Sequence, residues 1–509
     1  TGLVRRKNIV LSKLLKIFGI STYLLLVAAL SKIAYGADQD FFDVFNLEVE
    51  GTIHNYISAD FNGDGLTDIA VIYSPFNDPA NRYIGVHLQK GPAGFSGKAD
   101  YLIPLPPAAV QIDHADIDGD SQAEILVIDG DGVLSFKYSG ASGFSAANRL
   151  IRQSTIYAMP IFQGIIAQPF AFDIVAAAGP EIIIPTTKGF TLFEKGSDGR
   201  YQILNQLSAP FACRNIMKEI DDFSGRNEIG FKLSLPEIIV TDGNRDGRND
   251  LYLLWDRQLC YFFQDSSGNF AQTADDEISF QPAGADGYLQ SRLVDLNGDA
   301  HPDAVVSYTT GGITKAETKL RFYYADERGR ISAVAKKEIS LSDSHCNLII
   351  GDLNQNRQPE IVVPAVELGA IAATKMLLMK RTSLHLLIYT VRNGLPDDEP
   401  VQRAGLEFRI NFDEPVPTRE VTVDWSADFN GDGPLDLVFS DGSGRLQFYW
   451  GKADTYLSRK PDLEIPLEHP SEVHPVHLNQ GRLSDLIVEY NLGGRIDRLT
   501  VLKNKSNHL

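Results

Sequence analysis

The chain has 509 residues, 43% hydrophobic and 22% charged, a globular balance that excludes disordered, collagen-like and multi-span membrane classes. Its 47 Lys+Arg stand against 66 Asp+Glu, a net charge of −19, which argues against nucleic acid as a partner because phosphate contacts need a basic surface. Three cysteines, Cys213, Cys260 and Cys346, make neither a disulfide scaffold nor a zinc-ribbon spacing.

Residues 1–36 read as a secretory signal peptide. Arg5, Arg6, Lys7, Lys13 and Lys16 precede an apolar run at 17–30, and Ala34-Tyr35-Gly36 puts small residues at −3 and −1. The run is shorter than the ~20 residues a membrane span needs. An uncleaved short anchor, favoured by Lys32 just after the run, is the alternative. Cleavage leaves 37–509 without a transmembrane segment, at a net −25 from 41 Lys+Arg and 66 acids. The expected location is the periplasm, the cell surface or the extracellular medium. An oxidising compartment permits one disulfide, but the spacing picks no pair.

Next comes an alternating segment, 41–50, with Phe45, Leu47 and Val49 between Asn46, Glu48 and Glu50. A nine-residue pattern then recurs. It reads DFNGDGLTD from Asp60, DIDGDSQAE from Asp116, DGNRDGRND from Asp242, DLNGDAHPD from Asp295 and DFNGDGPLD from Asp428. DLNQNRQPE from Asp352 is a weaker copy. DIVAAAGPE from Asp173 and HLNQGRLSD from His477 are degenerate. Successive spacings of 56, 57, 69, 53, 57, 76 and 49 give eight units. Each loop leads into a short β-type run, such as IAVIY (69–73) or LVFS (437–440), and most units carry a second, such as LQFYWGK. Strand, acidic loop, strand, turn, strand, turn, strand is the pattern of a four-stranded antiparallel propeller blade. The expected fold is therefore an all-β propeller of eight blades, or seven if the Asp173 unit is irregular. The last unit has only three strands of its own, so segment 41–50 is expected to complete it and close the ring, removing an exposed edge.

The loops point to calcium. In the first, Asp60, Asn62, Asp64 and Asp68 supply side-chain oxygens at positions 1, 3, 5 and 9, and Leu66 offers a carbonyl at position 7. Gly63 and Gly65 let the chain curl. Calcium takes six to eight oxygens, which this spacing can deliver from one loop. Position 12 is Val71 rather than Glu, and β runs flank the loop, so it is no EF-hand. The same register gives Asp116, Asp118, Asp120, Gln122 and Glu124, then Asp242, Asn244, Asp246, Arg248 and Asp250. It continues with Asp295, Asn297, Asp299, His301 and Asp303, and with Asp428, Asn430, Asp432, Pro434 and Asp436. Asp352, Asn354, Asn356 and Glu360 form a weaker sixth site, and the degenerate loops are expected to bind no metal. The role of the ion is structural, because it offsets the repulsion of clustered acids.

These loops, each followed by an apolar strand, resemble FG-GAP/VCBS repeats, which build the calcium-bearing propellers of integrin α-subunits and of many secreted bacterial proteins. The resemblance covers about 41–503. It implies that the acidic loop joins the first and second strands of each blade and that Asp60, Asn62, Asp64 and Asp68 are ligands. It implies no single function, since such propellers include adhesion modules, lectin-like proteins and polysaccharide lyases.

Two long stretches are expected on the face opposite the loops. Residues 370–381 have helical composition and lie between second and third strands. Residues 213–235, ahead of a first strand, read as a solvated loop. His469, His474 and His477 fit no zinc motif and read as a surface loop. Tyr323, Tyr324, Phe448, Tyr449 and Trp450 read as blade packing. No nucleophile elbow, phosphate-cradling loop or zincin signature appears. The favoured function is an exported calcium-binding module for a protein or glycan, and the alternative is a polysaccharide lyase or hydrolase.

Overall fold

In the computed structural model, residues 41–508 are described, apart from 158–163, 176–178, 210–211, 219–227, 281–286, 312–316, 342–343, 346–347, 367–375, 377, 411–420, 468, 480 and 491–496. The expected export signal lies outside the described residues.

The chain folds as an eight-bladed propeller of small antiparallel sheets. Blade 1 shows the plan, with strands Gly51–Ala59, Asp68–Pro75, Arg82–His87 and Tyr101–Leu105 side by side in sequence order. The second strands read as unbroken apolar runs because both their faces are covered. Ile69 and Val71 pack toward blade 8 while Ala70 and Ile72 pack toward blade 2, and none of the four is exposed. The two-residue period of a strand thus serves two interfaces at once.

The core is a ring of interfaces. Eight hydrophobic clusters each join one blade to the next: Ile84 with Ile125, Val133 with Ile182, and so on round to Leu499 and Val501 of blade 8 against Ile53 of blade 1. Closure is by the N-terminal strand Phe42–Glu48, which pairs antiparallel with Arg498–Asn504 from Phe42↔Asn504 to Glu48↔Arg498. The eight-blade expectation therefore holds, and the Asp173 unit forms a regular four-stranded blade.

Two expectations are corrected. The stretch 213–235 is not a loop, because Ala212–Lys218 and Glu228–Ser234 pair as an antiparallel hairpin between blades 3 and 4. The alternation of Ile229, Phe231 and Leu233 with Gly230 and Lys232 is a strand pattern hidden behind the acidic KEIDDF segment. His474 is not in a surface loop either. It lies in the first strand of blade 8, Pro470–Val476, where two prolines disguise an edge strand that is paired on one side only. The helical reading of 370–381 falls largely outside the described residues, although Met376, Leu378 and Met379 are helical and lie between second and third strands as expected. Tyr323, Tyr324, Phe448 and Tyr449 are buried between blades.

Candidate metal centres in the blade loops

Each acidic loop joins the first to the second strand of its blade, so all eight lie on one face. The loop shape comes from its own acids. Asp60 Oδ1 accepts the backbone N–H of Gly63 at 2.7 Å and of Asp64 at 3.2 Å, and its Oδ2 accepts Gly65 at 2.7 Å. Asn62 Oδ1 accepts Asp64, and Asp64 Oδ1 accepts Leu66. The same bonds recur from Asp295, Asn297 and Asp299, and all but the position-4 bond recur from Asp352, Asn354 and Asn356. Positions 4 and 6 take positive φ in six loops, at Gly63 and Gly65 but also at Arg245, Ala300, Gln355 and Arg357. Glycine is thus convenient there rather than obligatory, and the side-chain bonds hold the curl.

The result is a tight turn whose side-chain oxygens at positions 1, 3 and 5 crowd one side. In loop 2, Asp116, Asp118 and Asp120 each bring a carboxylate oxygen within 4.8 Å of the others. An oxygen-only donor set suits a hard cation. In loop 7 the expected position-7 residue is Pro434, which has no N–H to give Asp432 the bond Asp64 receives from Leu66.

Position 9 does something the sequence reading missed. All eight position-9 acids are buried, including Glu181 and Asp485 in the two degenerate loops. Each accepts the backbone N–H of position 2: Asp68 from Phe61, Glu124 from Ile117, Glu181 from Ile174, Asp250 from Gly243, Asp303 from Leu296, Glu360 from Leu353, Asp436 from Phe429 and Asp485 from Leu478. In the five copies where it is Asp, the other oxygen accepts an N–H at or just beyond the end of the third strand, from Gln89, Gln264, Ala325, Gly451 or Asn504. Position 9 is therefore a latch tying the loop to the blade. Burial pushes Asp68 and Asp436 up to about 7 and Asp250 and Asp303 up to about 6, with the backbone bonds pulling the other way. A signal was present in the sequence, since this acid alone persists in every copy.

The loops differ in what balances their charge. In loop 2 the chain supplies its own cation. Lys137 Nζ sits 2.5 Å from Asp118, 2.6 Å from Asp120 and 3.2 Å from Glu124. Burial works against its charge, yet these bonds hold its pKa above the ordinary lysine value. In loop 4 the Arg248 guanidinium pairs with Asp246. In loops 1, 5 and 7, among the described residues, no lysine or arginine side chain pairs with the loop carboxylates.

Neighbouring loops are joined. Position 8 donates its backbone N–H to the loop of the preceding blade: Thr67 to Leu478 at 3.1 Å, Ala123 to Asp60 at 2.9 Å, Leu435 to Leu353 at 2.8 Å and Ser484 to Asp428 at 3.2 Å. His301 Nδ1 bonds the Gly243 carbonyl at 2.7 Å, linking loop 5 to loop 4.

Residues 60–127, the first two loops and the blade between them, match the family described as FG-GAP-like repeat. No curated protein sequence matches the chain. Among solved structures, an Agrocybe aegerita lectin described as recognising non-reducing terminal N-acetylglucosamine is 13% identical, with 92% of this chain and 96% of that one covered at a TM-score of 0.39. BBS1N in complex with ARL6DN is 8% identical, covering 92% and 98% at 0.38. The V. cholerae biofilm matrix protein Bap1 is 12% identical, covering 90% and 89% at 0.36.

Proposed function

We propose that this chain, which carries an FG-GAP-like repeat at residues 60–127, is an exported, calcium-stabilised propeller that binds a protein or a glycan. The observation that carries the metal reading is the state of loops 1, 5 and 7. Their acids and amides are folded to one side by the loop's own backbone, and no cationic side chain among the described residues pairs with them. Calcium supplies the missing charge. It is held by Asp60, Asn62 and Asp64, by Asp295, Asn297 and Asp299, and by Asp428, Asn430 and Asp432. The carbonyls of Leu66, His301 and Pro434 complete each site, with Asp68, Asp303 and Asp436 using the lone pairs their backbone bonds leave open. Loop 4 and the Asp352 loop bind more weakly. Loop 2 is satisfied by Lys137.

The binding surface is the face opposite these loops. Phe76, Tyr288, Leu378 and Met379 are exposed there, each at the strand end remote from the acidic loops. No helix among the described residues is long and apolar enough to cross a membrane.

The test runs in two steps. Calcium is titrated into chelator-stripped protein while Tm is followed. Uptake with a rise in Tm, diminished by Asp60→Asn and by Asp428→Asn, is expected. No uptake and no shift overturns the metal reading. The calcium-loaded protein is then passed over neutral and acidic polysaccharides and over envelope proteins. Retention without turnover is expected. New ultraviolet absorbance from unsaturated sugar products would replace the binding reading with a lyase. Failure to retain any of them overturns it.

A further inference from the structure

A second cluster of side chains able to hold a metal lies away from the acidic loops, on the inner strands of blade 8. Glu472 and His474 project from the same side of Pro470–Val476, being two residues apart. Glu489 lies on the next strand directly opposite Glu472. Two like charges directly opposed across a strand pair repel, so this placement needs a cation between them. Among the described residues, the only group that pairs with either carboxylate is His474.

The distances have the scale of a coordination sphere. His474 Nε2 lies 3.1 Å from Glu489 Oε1 and 3.7 Å from Glu472 Oε2, and all three donor atoms fall within 4.8 Å of one another. A tetrahedral ion with bonds of about 2.0–2.1 Å keeps adjacent donors about 3.3 Å apart. The two histidine distances bracket that figure. The nitrogen is also shielded from solvent, with the two carboxylates beside it. The carboxylates keep contact with solvent, Glu472 more than Glu489, so an ion has a way in.

The surroundings favour a positive guest. The first strands of blades 7 and 8 pack together here, and the carboxyl group of Asp424 of blade 7 lies near His474. The ring of Tyr56 of blade 1 meets the imidazole in a T-shaped contact, with centroids 6.0 Å apart.

We propose that Glu472, His474 and Glu489 form a site for one divalent transition-metal ion, with zinc as its representative. An imidazole ligand separates this site from the oxygen-only loops, because a hard cation such as calcium gains little from nitrogen. Three protein ligands leave the fourth tetrahedral position open to water or to an oxygen donor of a bound molecule. The inference does not rest on calcium in the loops.

The probe is cobalt(II), followed by zinc competition, on the full chain stripped of metal and returned to excess calcium. One equivalent of cobalt with the intense visible bands of tetrahedral coordination, displaced by zinc, is expected. His474→Ala should weaken uptake about tenfold or more, and so should Glu489→Gln, while the Tm gained with calcium stays as in the unaltered protein. If His474→Ala does not fold, the isosteric pair Glu489→Gln and Glu472→Gln decides in its place. Uptake that is absent, or that is indifferent to these side chains, overturns the proposal and shows the cluster to be a histidine ion-paired between two glutamates.

Discussion

Loops 1 and 2 sit side by side in the ring, joined by the Ala123 to Asp60 backbone bond. They share the curl, the position-1 acid accepting three backbone N–H groups, and the buried position-9 latch. They differ in where the positive charge comes from. Loop 2 draws Lys137 from the end of its third strand, whereas the equivalent residue of blade 1 is Leu88, which offers none. The acidic register therefore encodes a backbone shape first. On the function proposed above, whether that shape takes an ion from solution depends on one residue some twenty positions downstream.

The comparison can be broken most severely at what the two loops share. Removing a position-9 carboxylate leaves buried N–H groups without acceptors, each costing about 1–3 kcal/mol. Asp68→Ala and Glu124→Ala should each lower unfolding stability by roughly 2–5 kcal/mol in urea titrations in chelator, and in calcium Asp68→Ala should lose more, because it is also a ligand of the proposed site. Asp485→Ala should do the same although its loop has no other acid, because it ties Leu478 to Asn504. A loss seen only in calcium would mean that position 9 acts through the metal instead.

Next in size is removal of calcium, which should separate the two loops. A site saturated a hundredfold above its Kd contributes about 2.7 kcal/mol, and chelation removes it. Asp64→Asn should take away part of that chelator-sensitive stability, whereas Asp120→Asn should leave it intact. Tm measured with and without chelator reads both. Equal responses from the two variants would erase the distinction drawn from Lys137.

The legible parts of this molecule were those written as repeats. The loop register, the flanking apolar strands and the spare alternation of Phe45, Leu47 and Val49 gave the blades, their number and the closure, because each feature recurs or completes a recurrence. What stayed hidden depends on contacts between units. Nothing near Asp116 announces Lys137, and nothing near His474 announces Glu489, since both meetings are made by strand pairing. The hairpin at 212–234 was masked by charge, and the position-9 latch by its plausibility as a ligand.

The smallest effect is also the sharpest. Lys137→Met keeps the aliphatic stem and removes only the ammonium. Asp118, Asp120 and Glu124 would then face one another with no counter-charge from the chain, the condition of loop 1 as it stands. In chelator the variant should lose about 1 kcal/mol, a modest figure because Lys137, Asp118 and Asp120 are part-exposed and screened by water. In calcium it should recover that loss and take up one more equivalent than the unaltered protein, read by calorimetric titration. Gain of a site by deleting a cation is the reverse of what a merely structural lysine would show. If Lys137→Met is destabilised equally with and without calcium, the ammonium is a packing and ion-pair partner. Loop 2 then differs from loop 1 in more than its source of charge.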